Sequence, residues 1–158
     1  MVQNPHGRPH LLRTDRVVNC IIEGVTWMNS PMYHFFLQDS SNFIIQDFEI
    51  YVDIWEQKSI SKLFGYFDAL KGIPMFPLNT DGVDPSGTNF IIRRLKITSF
   101  DDAVAVKPAN RGNKIATCAQ NILVEDCLVI YGVGMTIGSV PPNANHACIK
   151  DVIFRNIY

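Results

Sequence analysis

Asn42-Phe43-Ile44-Ile45-Gln46-Asp47-Phe48-Glu49-Ile50 is the stretch on which the fold turns. β-Branched and aromatic residues alternate with polar ones at period two, and Asp39, Ser40 and Ser41 precede it, which is strand chemistry beside a turn. The pattern recurs four times. It reads Asn19-Cys20-Ile21-Ile22-Glu23-Gly24-Val25-Thr26-Trp27, then Asn89-Phe90-Ile91-Ile92-Arg93-Arg94-Leu95-Lys96-Ile97, then Asn121-Ile122-Leu123-Val124-Glu125-Asp126-Cys127-Leu128-Val129, and in degenerate form Asp151-Val152-Ile153-Phe154-Arg155-Asn156-Ile157. Successive copies start 23, 47, 32 and 30 residues apart. A unit of about 20–50 residues that cannot bury its apolar face alone must stack on its neighbours. Regular leucines at fixed offsets, the mark of leucine-rich repeats, are missing, and so is a helical period in every unit. The fold class expected is therefore all-β, a parallel β-helix, with the leading Asn residues at left-handed corners.

The wide spacing between Asn42 and Asn89 holds an insertion. Asp53 and Glu56 have capping-box spacing, Ile60, Leu63, Phe64 and Phe67 follow a helical stripe, and Gly72 stands where a C-cap would. A short helical insertion around residues 54–71 is expected, either covering one side of the solenoid or forming a lip over a substrate groove. Residues 1–158 are expected to form a single partial β-helix domain lacking N-terminal and C-terminal coils. Trp27, Phe35, Phe36, Phe43 and Phe48 are expected as stacked core aromatics rather than sugar platforms.

Composition narrows the function. Hydrophobic residues make up 47% of the chain and charged residues 18%, which excludes a disordered chain. A net charge of −1 leaves no footprint for nucleic acid or an anionic membrane, and no apolar run approaches the ~18–20 residues of a membrane helix. Nucleic acid and membrane are thus not expected as partners, and a monomer is. The first residues, MVQNPHGRPHLLRTDR, lack the apolar segment of an export signal. Cys20, Cys118, Cys127 and Cys148 form no CxxC pair, so zinc is not expected. Buried thiols, or one or two disulfides, remain open.

Three acidic residues carry the candidate chemistry. Asp81, in Asn79-Thr80-Asp81-Gly82, precedes the doublet Asp101-Asp102 by 20 and 21 residues, about one coil. Residues one coil apart stack at roughly 4.8 Å, so three carboxylates would share a patch. Like charges that close raise at least one pKa, dividing carboxyls into proton donor and base. One rung plus side-chain splay is expected to separate them by the ~6.5–9.5 Å of inverting glycosidases. Consecutive strand residues face opposite ways, so a bend or bulge at Phe100 to Asp102 is required. With Val104 and Val106 inward, Ala103, Ala105 and Lys107 should face out, Lys107 towards a substrate carboxylate.

Asn79-Thr80-Asp81-Gly82, Asp101-Asp102 with Val104-Ala105-Val106-Lys107, and Gly132-Val133-Gly134-Met135-Thr136-Ile137-Gly138-Ser139 resemble, in order and spacing, the signatures of glycoside hydrolase family 28, the pectin-degrading polygalacturonases. The resemblance runs from about Arg8 to the C-terminus. It includes the corners Asn29-Ser30-Pro31 and Asp39-Ser40-Ser41-Asn42. It implies a right-handed parallel β-helix that hydrolyses α-1,4-galacturonan with inversion, acts extracellularly on pectic polysaccharide or oligogalacturonide, and needs no cofactor and no metal. It makes Asp101 the general acid and gives Asp81 and Asp102 the water to hold and deprotonate. Lys107 and Asn79 are the substrate-binding candidates, and the insertion before Asp81 suggests exo action. The family pattern has histidine at Val133, cysteine at Ala103, and an Arg-x-Lys pair one coil later that is expected beyond this sequence. His146 is a weak stand-in for the histidine, and Cys118, Cys127 and Cys148 are left to pair otherwise. Two other classes stay open: a catalytically impaired carbohydrate-binding or structural solenoid, argued from Val133, and a calcium-dependent pectate lyase on the same architecture.

Overall fold

A computed structural model describes residues 8–53, 78–108, 118–140 and 147–158. The expected helix at 54–71 and His146 lie outside the described residues. The strands are β1 (Leu12–Asp15), β2 (Val18–Glu23), β3 (Thr26–Met28), β4 (Phe35–Tyr51), β5 (Val83–Thr98), β6 (Asp102–Val106), β7 (Ala119–Tyr131), β8 (Gly134–Ile137) and β9 (Ile149–Ile157). Every pairing among them is parallel. β1, β2 and β3 pair in turn with three successive segments of β4, so one coil has three sides, as a parallel β-helix requires.

The repeated nonapeptides stack in register. Cys20, Phe43, Phe90, Ile122 and Val152 form one inward column, and Ile22, Ile45, Ile92, Val124 and Phe154 the next. Phe43 and Phe90 stack with ring centroids 5.5 Å apart, and both are buried, as are Phe35 and Phe48. Trp27 packs edge-on against Phe35 at 4.3 Å. Phe36 departs from the expected core set. It alternates with Phe35 along β4, so its ring faces outward beside Arg13, half-buried.

The leading asparagines turn the corner. Asn19, Asn42, Asn89 and Asn121 all have φ between 57° and 60°, and Asp151 has φ 54°. Asn is among the few residues that visit this region at low cost. The amides of Asn42, Asn89 and Asn121 each donate to the asparagine one coil below, at 2.9, 2.9 and 3.1 Å. Five positions on, Gly24, Asp47, Arg94, Asp126 and Asn156 repeat the left-handed turn. Arg94 there clasps Asp47 on the adjacent coil at 2.6 Å.

Of the cysteines, Cys118 and Cys148 form a disulfide that ties the coil entering β7 to the coil entering β9. Cys127 is a buried thiol and Cys20 a half-buried one. The open alternatives thus resolve to one bridge among the described residues.

Candidate active site

Three residues of the 79–82 turn bind the 99–102 corner one coil away, each in its own way. The Asn79 N–H donates to Asp101 Oδ2 at 2.7 Å, and Thr80 Oγ1 accepts the Phe100 N–H at 3.1 Å. The Gly82 N–H donates to the Asp102 carbonyl at 2.9 Å. A Cβ on Gly82 would stand 2.4 Å from the Ala103 carbonyl oxygen, so only glycine lets the coils close here. Asp81 is thereby stacked over Asp102, and Val83 pairs with Val104 in the following register. The bend expected before β6 is present at Phe100 and Asp101, with a register shift between Asp102 and Val104.

Asp81, Asp101 and Asp102 do share a patch: an oxygen of each lies within 4.8 Å of one from the others. The nearest oxygens are thus closer than the expected 6.5–9.5 Å: Asp81 stands about one inter-strand step from Asp102, and Asp101 is the chain neighbour of Asp102. Asp101 is fixed from several sides. Its Oδ1 accepts the Asp102 N–H at 3.0 Å, and its carbonyl accepts the Ser99 hydroxyl at 2.9 Å and the Val133 N–H at 2.9 Å. The Val133 side chain is exposed, while a Cβ at Gly132 would press on the Asp101 carbonyl at 2.9 Å. The Gly-Val-Gly turn therefore holds the doublet through its backbone.

Asp81 is buried, and its Oδ1 has no hydrogen-bond partner among the described residues. Burial, reinforced by the Asp101 charge and less so by Asp102, and opposed by the Lys107 ammonium, pushes its pKa up from 3.8 to about 7. Asp81 therefore keeps its proton in weakly acidic water.

Lys107 does not point into open solvent. It is 6% exposed, with Nζ 3.7 Å from Asp81 Oδ2 and 3.4 Å from Asp84 Oδ2. Ala103 and Ala105, also expected outward, are fully buried. Both sides of β6 are covered, as is common in parallel sheets, and strand parity says nothing about what covers the outer side. Asn79 is occupied too: its Oδ1 accepts from Arg8 Nη2 at 3.0 Å.

Two site residues escaped the sequence reading. Asp84 is fully buried against Lys107, and burial followed by the Asp81 charge raises its pKa well above the ordinary value. Its signal was present in Asp81-Gly82-Val83-Asp84, a second acid three residues after the first. His34, also fully buried, accepts the Ser30 N–H on Nε2 at 3.3 Å, so Nδ1 carries the proton and donates to the Asp81 carbonyl at 3.0 Å. The His34 backbone N–H meets the same carbonyl at 2.9 Å. Burial lowers the imidazole pKa, so His34 clamps the turn as a neutral group. No sequence spacing announces that contact, which crosses from one coil to the next.

Carboxyl oxygens this close can also gather around a divalent cation. Here the Lys107 ammonium already supplies positive charge to Asp81 and Asp84.

The family model of "Glycosyl hydrolases family 28" matches residues 2–158. The chain belongs to glycosyl hydrolases family 28. Among curated relatives, rhamnogalacturonase A of Aspergillus niger is 28% identical over 151 residues, 95% of this chain and 26% of its own length. Rhamnogalacturonase A of Emericella nidulans is 27% identical over 150 residues, covering 95% and 23%. An exopolygalacturonase of Rhizopus delemar is 27% identical over 154 residues, covering 96% and 32%. The chain thus spans about a quarter to a third of the length of these relatives. No solved structure matches it at comparable stringency. The all-β parallel coil is the right-handed β-helix of this family.

Proposed function

We propose that this family 28 chain carries the proton-transfer core of a hydrolase that cleaves α-1,4-galacturonan in pectin with inversion at the anomeric carbon. The observation that carries the reading is the patch itself: Asp81, Asp101 and Asp102 within 4.8 Å on one side of a parallel solenoid. In the reaction, a water oxygen bonds to the anomeric carbon as the glycosidic C–O bond breaks. Asp101 gives its proton to the departing oxygen, and a carboxylate takes one from the water. Because Asp81 holds a proton below about pH 7, its part is to hold the water by hydrogen bonding, and Asp102 takes the proton. Exo action is part of the proposal, as is an extracellular site of action, which the Cys118–Cys148 disulfide supports.

Two observations favour specific second readings. Carboxyls nearer than about 5.5 Å are the spacing of retaining enzymes. Rhamnogalacturonase names among the relatives point to a rhamnogalacturonan backbone. One set of assays separates these readings. Release of reducing ends from polygalacturonate, with the initial product in the inverted anomer by proton NMR and monomer or dimer appearing first, is the result expected. Asp101→Asn should lose at least about a thousandfold in turnover and still bind. Cleavage of rhamnogalacturonan alone, or a retained anomer, replaces the corresponding part. Unsaturated products would mean a lyase, and binding without turnover would mean a non-catalytic solenoid.

A further inference from the structure

Next to the carboxylate patch, towards the earlier coils, is a small cavity of about 290 Å³ lined by Arg13, Phe36, Gln38, Ser86, Lys107 and Pro108. It lies at the small end of small-molecule sites, room for about one sugar ring. Register sets it on the outward column of Asp84, the acid that shares Lys107 with Asp81: Arg13 pairs with Phe36 and Phe36 with Asp84. Lys107 joins the two, lining the cavity while its ammonium meets Asp81 and Asp84.

With Lys107 engaged by two carboxylates, Arg13 is the cation left for a ligand. Its guanidinium lies 5.4 Å from the Phe36 ring centroid, and Nη2 donates to Gln38 Oε1 at 2.6 Å, a neutral partner. No carboxylate meets Arg13 among the described residues, and nearby Asp15 is held by Arg16 at 3.2 Å. Phe36 is itself braced by His10 at 5.5 Å and Tyr33 at 5.9 Å. Ring and amide together set the orientation of a planar fork that suits a carboxylate, and the Gln38 amide nitrogen remains to donate to a hydroxyl.

We propose that this cavity is a subsite for a uronate unit of the chain being cleaved, with Arg13 on the sugar carboxylate, Phe36 as its brace and Gln38 on a hydroxyl. The proposal rests on the hydrolase reading above and sharpens it, because it makes charge, beyond ring shape, a condition of binding here.

The test is calorimetric binding to the Asp101→Asn protein of a galacturonate oligomer and of the same oligomer with its carboxyls reduced to alcohols. Asp101→Asn should bind the uronate oligomer the more tightly. Adding Arg13→Gln should weaken uronate binding about tenfold or more and leave the neutral oligomer unchanged, which also reports an intact fold. Arg13→Lys should recover part of the loss, since it keeps the charge and loses the fork. Equal uronate binding with and without Arg13→Gln overturns the subsite and leaves the hydrolase reading standing. Absence of binding of either oligomer to Asp101→Asn overturns both.

Discussion

Replacing Asp81 by Asn should make the protein's stability less dependent on pH, by an amount the site predicts. Asp81 is 2% exposed and its carboxyl titrates near 7 in the fold, against 3.8 when the group is free. Below the lower value both folded and unfolded chains hold the proton, and Asp81 contributes no pH dependence. Between the two, the unfolded chain releases the proton while the folded chain retains it, so folding loses about 1.4 kcal/mol for each pH unit gained. Above about 7 the loss is complete at about 4 kcal/mol. Asp84, raised in the same direction, adds to the slope, and its elevation comes partly from the Asp81 charge. Asn is nearly isosteric and does not titrate. Urea denaturation of the wild type and Asp81→Asn at pH 4 and pH 8 isolates the effect. The variant should gain on the wild type by about 4 kcal/mol between the two pH values. A gain below about 1 kcal/mol would refute the reasoning that burial and like charge hold the proton on Asp81.

Lys107 opposes the rise at Asp81, so Lys107→Met should move the alkaline limb of the pH–rate profile to higher pH; a downward move would contradict the ion pair seen at 3.7 Å. Asn89→Ala removes two ladder hydrogen bonds and puts alanine at φ 60°, and should cost about 2–4 kcal/mol in denaturant unfolding, against near neutrality if the ladder is incidental. Reducing Cys118–Cys148, which closes a 30-residue separation, should lower stability by about 3–4 kcal/mol, measured as urea midpoints with and without reductant. Chelator should change the turnover rate less than twofold, and a large loss restored by calcium would favour the lyase.

Much of the molecule was legible in one dimension because its repeat is local. An Asn, or in the last copy an Asp, that turns left-handed, then apolar residues at period two, in five copies, determines by itself that coils stack in register and that Phe43 meets Phe90. The spacing of Asp81 and Asp101-Asp102, one coil, likewise determines that three carboxyls meet. Strand parity requires a bend at the doublet, and the bend is there.

Tertiary structure decided what surrounds those groups. Parity assigns a side of the strand, and only the packed coils decide whether that side is wet, which is why Lys107, Ala103 and Ala105 are buried and Phe36 is turned out of the core. His34 reaches Asp81 across 47 residues of chain, a contact no local pattern encodes. The separation of the carboxyls and the proton on Asp81 depend on distances of a few ångströms and on water removed by neighbouring coils. Coulomb interaction and desolvation act through space, so they become defined only when the coils have closed.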